Sequence, residues 1–398
     1  MTLDVADLAR DPNALAPHYS RFRVADRLLL TGHSHQAWPD RGFEGQQQAW
    51  RDAAEHVDQK WDRAFARAEK VAASFSRLLG ERAGRVALGA STHDLVLRFL
   101  SALPLGQRPR LVTTDGEFHT LRRQLDRLAE EGLEVIKIAA EPIDGLAERM
   151  ANAIDDRTSA ALVSAVFFET GRIVGGLDRI AAACAECGAE LLVDAYHALG
   201  VVPFDLREHG IEDAFVTGGG YKYLQLGEGN CFLRVPEGRR FRPAVTGWFA
   251  EFAELEHDHS GGRVAYGRGP AAFAGATYDP TSHYRAGEVF AFFEEQGLEP
   301  ALLRRVSQHQ IGLLARAFDD LDLDPGLVDR ARAVPLERVA GFLVLRSPRA
   351  GEICEGLKQR GVSTDFRGTS LRLGPAPYLC DRQLIDAIGL LGEAVEAL

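Results

Sequence analysis

A single lysine, Lys222, stands between two tyrosines in the stretch AFVTGGGYKYLQLGEGN, with glycine runs on both sides. A solvated surface lysine needs no such setting; a lysine that meets a flat ligand closely does. In an enclosed, partly apolar site its amine has a lowered pKa and can form a Schiff base with a carbonyl. Gly218, Gly219 and Gly220 just before it permit unusual backbone angles and close approach. The bland alternative is a lysine snorkelling from a sheet edge.

Asp194 precedes this lysine by 28 positions and ends the apolar run of ELLVDAY, with His197 three positions further on. A carboxylate leaving a buried strand costs free energy unless a cation meets it. A protonated pyridine nitrogen is such a partner, and a helix N-cap is the competing explanation.

Earlier loops add candidates. In LGASTHDLVLRFL, Ser91 and Thr92 follow a strand and open a helix, where free N–H groups and two hydroxyls form an anion site; capping alone also accounts for them. Phe118, in TTDGEFHTLRRQ, sits at another strand-to-helix turn and is placed to stack on a planar ligand or simply to pack. Thr170, in FFETGRIVGG, offers a hydroxyl to a ligand edge or makes an ordinary turn. A phosphate-type site, an aromatic plate, a strand-end aspartate and a glycine-flanked lysine, in that order, suit pyridoxal phosphate.

The elements that must position these residues read as an α/β domain. RVALGA, RLVTTD, EVIKIA, SAALVSAVFF, ELLVDAY, DAFVTGG and CFLRVP are buried strands, and HDLVLRFLSAL and HTLRRQLDRLAEEG have helical periodicity between them. Alternation of this kind predicts a largely parallel sheet with ligands at the carboxyl ends of its strands. A glycine- and proline-rich connection (261–283) then leads through the helix YRAGEVFAFFEEQG to a smaller α+β part, with strands GFLVLRSP and SLRLGPAP and helices AGEICEGLKQRG and DRQLIDAIGLLGEAVEAL. The spans expected are an N-terminal segment (1–50) packed back on the rest, a large domain (51–282) and a small C-terminal domain (283–398).

The 398 residues carry a formal net charge of -11, which argues against a nucleic-acid surface. No apolar run approaches the ~20 residues of a membrane helix, and the acidic start does not read as a signal peptide. Five cysteines, an odd number without framework spacing, point to the cytoplasm. Cys184 and Cys187 form a C-x-x-C inside a helical stretch with no second pair for zinc, so helix packing is the reading there, a redox pair is the remote alternative, and no metal site is expected.

From about Leu28 to the C-terminus the chain resembles the fold type I pyridoxal-phosphate enzymes, specifically the class V aminotransferase group and within it the kynureninases. The resemblance rests on DAYHALGVVPFDL, GGGYKYLQLGEGNCFL, Gly247–Trp248 and RGVSTDFRGTSLRLGPAPYL. It implies that Lys222 holds the cofactor covalently, Asp194 pairs with the pyridine nitrogen and His197 sits near the phenolic side. Phe118 would stack on the ring, Thr170 would reach the cofactor, and Ser91, Thr92, Tyr221 and Trp248 would cradle phosphate. The Gly275–Thr277 turn would assist across the interface of a homodimer. Arg372 would grip the carboxylate of the amino-acid substrate as a bidentate fork. His33 and Ser34 are candidates for the rest of the substrate, and His33 and His35 read equally as solvated loop histidines. The reaction implied is hydrolysis of L-kynurenine to anthranilate and L-alanine, in tryptophan catabolism.

Three segments depart from the kynureninase pattern: FHTL (118–121) replaces F-P-T-D, GHSHQ (32–36) replaces GNSLG, and GWFAEF (247–252) replaces GWWGH. An aminotransferase or another lyase of the same group uses the same cofactor residues. A desulfurase is disfavoured, because Tyr221 stands where its histidine belongs and Cys354 lies in a helical pattern. Joint retention of Lys222, Asp194 and Arg372 argues against a non-catalytic protein that has merely kept the fold.

Overall fold

The computed structural model describes residues 3–254 and 262–398. Gly261, the first residue of the glycine- and proline-rich connection, and the part of the 51–282 span from 255 to 261 lie outside the described residues.

The N-terminal segment is built of short helical turns, with 3-10 helices at Ala16–Phe22 and Val24–Asp26. It carries a short helix α1 (Val5–Ala9) and a two-residue strand β1 (Leu28–Leu29), followed by the longer helices α2 (Asp40–His56) and α3 (Lys60–Leu78). Seven strands follow, the first five separated by helices and the last three joined by loops: β2 (Val86–Gly89), α4 (Thr92–Ser101), β3 (Arg110–Thr114), α5 (His119–Glu130), β4 (Glu134–Ile138), α6 (Leu146–Ala153), β5 (Thr158–Ser164), α7 (Leu177–Cys187), β6 (Glu190–Asp194), β7 (Phe215–Gly219) and β8 (Cys231–Arg234). They form one sheet in the order β2-β8-β7-β6-β5-β3-β4, parallel throughout except that β8 runs antiparallel to both neighbours.

Each of the seven strands expected for the α/β part is present in this sheet. Their unbroken apolar runs reflect burial on both faces. In β6, Leu191 and Val193 enter one core cluster and Leu192 the other. The run SAALVSAVFF is shorter as a strand than it reads: β5 stops at Ser164, and Val166 then bridges back to Ile173 in a tight hairpin. The helix stops are legible too, since α7 ends on Gly188 at φ 65°, a left-handed conformation that favours glycine.

Helix α8 (Thr281–Gln296) packs against α2 and α3, and α9 (Pro300–Asp320) against α11. The C-terminal part adds β9 (Asp329–Arg330), β10 (Leu343–Arg346), α10 (Ala350–Gln359), β11 (Val362–Ser363), β12 (Asp365–Arg367), β13 (Ser370–Leu373) and α11 (Asp381–Glu396). Four of these strands make an antiparallel sheet in the order β12-β13-β10-β9, while β11 pairs in parallel with β1. Through that pairing the N-terminal segment is tied to the C-terminal strands, and Gly32 N–H donates to the Gly374 carbonyl at 2.7 Å.

Candidate active site

The carboxyl ends of β3, β5, β6 and β7 bring most of the candidate residues together. Lys222 leaves β7 on a loop closed by Leu226 N–H to the Gly220 carbonyl (2.8 Å) and Gln225 N–H to the Lys222 carbonyl (3.1 Å). The three glycines before it do not adopt left-handed angles. They are needed for closeness to protein: a Cβ on Gly219 would lie 2.5 Å from the Tyr196 hydroxyl, and one on Gly220 would lie 2.3 Å from Leu226 Cδ1. The reading that they free unusual backbone angles is therefore corrected to one of tight packing behind the lysine.

Lys222 is 4% exposed, and its amine lies 2.8 Å from Nε2 of His197. Three aromatic rings surround the same nitrogen, with centroids at 4.7 Å (Tyr196), 5.1 Å (Phe118) and 5.5 Å (Tyr221). Burial brings the Lys222 pKa down to about 7, against the opposing pull of Asp194; Arg372 adds to the lowering. Burial likewise pushes His197 well below its ordinary value, so the imidazole is neutral. A snorkelling lysine at a sheet edge does not describe this residue.

Asp194 terminates β6 and accepts the Tyr196 N–H at 2.8 Å. It caps a turn rather than a helix. Burial raises its pKa, and its hydrogen bond to Tyr196 and the charge of Lys222 only partly offset that. A desolvated carboxylate of this kind calls for a cationic N–H. Phe118 stands at the start of α5 and meets Phe168 edge-on at 5.3 Å.

Beside Phe118 lies a group the sequence reading passed over. Glu117 is buried and accepts hydrogen bonds from the Thr114 hydroxyl (2.7 Å), the Ser164 hydroxyl (2.6 Å) and the Ser164 N–H (3.2 Å). Ser164 is the sheet partner of Asp194. Burial raises the Glu117 carboxyl to about 7 against those hydrogen bonds. An acidic residue immediately before the aromatic plate was the available signal.

Arg372, in β13, is 3% exposed and lies across the sheet from Asp365. Its Nε donates to Asp365 Oδ1 at 2.8 Å, its Nη2 to Asp365 Oδ2 at 2.5 Å, and its Nη1 to the Phe168 carbonyl at 2.7 Å. His33 is fully buried and bonds Asp365 Oδ1 through Nε2 at 2.8 Å. In this arrangement His33 addresses Asp365, not open space. His35, more exposed, stacks on Tyr221 with centroids 4.8 Å apart, and the Ser34 hydroxyl pairs with His35 Nδ1 at 3.1 Å.

The remaining candidates are placed more loosely. The Ser91 hydroxyl accepts the Asp94 N–H at 3.2 Å as the N-cap of α4, and Thr92 is the first residue of that helix. The Thr170 hydroxyl accepts the Arg172 N–H at 3.3 Å within the hairpin turn. That hairpin serves the cluster through the ring and carbonyl of Phe168 instead. The Trp248 indole N–H bonds the Thr277 hydroxyl at 3.3 Å on an exposed face, so these two pair with each other and not with the Lys222 group.

A buried amine of low pKa, an under-compensated carboxylate and an aromatic plate in one space are the donor set that a pyridine aldehyde fits. No family model matches the chain. It is 25% identical over 375 residues to a kynureninase of Bacillus anthracis, covering 88% of this chain and 80% of that protein. It is 25% identical over 345 residues to the uncharacterized aminotransferase YcbU of Bacillus subtilis (strain 168), covering 86% of this chain and 87% of that one. Among solved structures, a C-DES mutant with glycine covalently linked to its PLP cofactor superposes with a TM-score of 0.81 at 14% identity, covering 95% of this chain and 98% of that chain. The cysteine desulfurase CsdA of Escherichia coli gives 0.76 at 16% identity with all of both chains covered. The architecture is thus that of the fold type I pyridoxal-phosphate enzymes. In sequence the chain is similar to kynureninases and to an aminotransferase, at 25% identity.

Proposed function

We propose that this chain is a pyridoxal-phosphate-dependent hydrolase of kynureninase type, cleaving the β–γ bond of a γ-keto amino acid. L-Kynurenine and water would give anthranilate and L-alanine. The observation that carries the proposal is the Lys222 amine, buried among three aromatic rings and 2.8 Å from a neutral His197.

When bound, the cofactor supplies an electron sink for negative charge developed at the substrate α-carbon. Lys222, with a pKa near neutrality, is suited to take and return the α-proton. Asp194 would accept a hydrogen bond from the ring N–H of the bound cofactor and so favour the protonated ring. Phe118 walls one face, and Arg372 takes the substrate carboxylate. The rings of Tyr196, Tyr221, Phe118 and Phe168 exclude bulk water from the reacting atoms.

We also place a second copy of the chain against the exposed face around Trp248 and Thr277. Val245, Trp248, Phe252 and Val264 are 46–56% exposed there, and a second copy would cover them. The cysteines are all free, as suits a cytoplasmic protein.

A second reading, transamination or another lyase reaction on a different amino acid, is favoured by one observation. His35, in the divergent segment 32–36, stacks on Tyr221 beside the lysine, so the pocket is not furnished as the kynureninase pattern furnishes it. Release of anthranilate from L-kynurenine separates the two.

A further inference from the structure

Arg372 has five N–H donors, and the protein takes three: Nε and Nη2 go to Asp365, and one on Nη1 goes to the Phe168 carbonyl. One N–H remains on each terminal nitrogen, the number a bidentate carboxylate uses. The guanidinium is therefore held along one edge by the protein's own carboxylate while two donors stay available.

Asp365 is itself fixed. It faces Arg372 across the β12–β13 pair, and its Oδ1 also takes the His33 Nε2 contact at 2.8 Å. Burial favours a protonated Asp365, but the His33 hydrogen bond and Arg372 outweigh it and hold the carboxyl well below its usual range. Burial keeps His33 neutral, with its pKa near 4. A neutral imidazole facing a carboxylate must carry its proton on Nε2, leaving Nδ1 as the bare nitrogen. Nδ1 is indeed buried without a partner.

The surroundings hold this histidine in place. Its ring packs on Phe342 at 4.7 Å. Its loop is pinned by Gly32 N–H to the Gly374 carbonyl and by Gly374 N–H to the Leu30 carbonyl. A Cβ on Gly374 would come within 2.3 Å of Nδ1, so only glycine admits the ring.

We propose that His33 and Asp365 are positioning residues that fix Arg372 with two N–H groups turned to the substrate carboxylate, the N-terminal segment thereby setting affinity for α-carboxylates. The proposal rests on the reading of Arg372 as the carboxylate fork. His33 acts through Asp365 and does not touch substrate, which changes the role the sequence suggested for it.

The test is a spectral titration of the cofactor-loaded protein with L-alanine and, separately, L-alaninamide, which lacks the carboxylate. Asp365→Asn should weaken L-alanine binding by about 10–100-fold, as loss of a charged hydrogen-bonded pair does, and leave L-alaninamide within about 3-fold. His33→Leu should act in the same direction by about 5–10-fold, and His33→Asn, which keeps an N–H donor, should recover most of that. Melting temperatures measured alongside identify a variant that has merely failed to fold, in which case the His33→Leu and His33→Asn pair decides. Equal loss for both ligands, or no loss for either, overturns the positioning role. A wild type that holds cofactor yet binds both ligands alike removes Arg372 as the carboxylate fork, and the proposal with it. A wild type with no cofactor absorbance overturns the cofactor reading beneath both.

Discussion

The amine of Lys222 and Nε2 of His197 lie 2.8 Å apart in a site where neither has access to bulk water. Burial is the main cause of the lowered basicity of both, and the charge of Lys222 lowers His197 further. The chain thus keeps a lysine close to neutrality at the mouth of a parallel sheet, where an unperturbed lysine would be a fixed cation.

That burial has a cost in the cofactor-free protein. The folded pKa of about 7 lies below the ordinary value of 10.5, so between the two the unfolded chain holds a proton that the folded one lacks. Stability therefore rises with pH across this window, and below about 7 the whole penalty is present. Lys222→Met should melt higher than wild type at pH 6, by on the order of 1–3 kcal/mol, with the gap closing toward pH 10. Thermal melts of both apoproteins check this; a gap that widens with pH contradicts it.

Three buried neutral histidines make the fold acid-sensitive. Burial lowers His33 and His283 to about 4 and His197 well below its ordinary value. Between pH 6.5 and 4 the unfolded chain binds protons these groups refuse, so stability falls as pH falls through that window. His283 pairs with Asn230 Oδ1 at 3.2 Å, remote in role from the chemistry. His283→Asn should reduce the acid loss by about 2–3 kcal/mol, measured as the change in denaturant midpoint between pH 7 and 4.5.

Glu117 works in the opposite sense. Its folded pKa of about 7 exceeds the ordinary 4.5, so its contribution is complete below pH 4.5 and is lost as pH rises through 7. Glu117→Gln should lose this dependence, and its stability relative to wild type should climb by on the order of 2–3 kcal/mol between pH 4.5 and 8. Glu117→Ala, which strands three donors from Thr114 and Ser164, should instead cost about 2–4 kcal/mol at pH 5.

The exposed aromatic face gives a prediction about assembly. Light scattering of the purified protein should return twice the 43.5 kDa chain mass. A Trp248→Ala, Phe252→Ala double variant should weaken the dimer about 10-fold or more. A wild type that stays monomeric at micromolar concentration would remove the second copy from the account.

The seven strands of the main sheet were legible because both of their faces are buried, which leaves short apolar runs bounded by turns. Lys222, Asp194, His197 and Phe118 were legible because strand ends in such sheets are where ligands collect. Helix α2 was not, for a physical reason: it buries Gly42, Gly45 and Asp52 rather than an apolar stripe. Gly45 lies so close to α8 that a Cβ there would meet the Tyr284 carbonyl at 2.5 Å, and Asp52 accepts the Tyr284 hydroxyl at 2.8 Å. Asp365 escaped notice because its meaning depends on His33, 332 residues away along the chain. Phe168 did so because its strand ends early and turns its ring inward.

The most direct test follows the fluorescence of anthranilate after L-kynurenine is added to the cofactor-loaded protein, with Lys222→Ala beside it. The account predicts product from the wild type and a loss of at least about 1,000-fold in the variant. Wild-type protein that shows the cofactor's visible absorbance but releases no anthranilate would contradict it, and would direct attention to a different amino acid in the pocket lined by His35 and Tyr221.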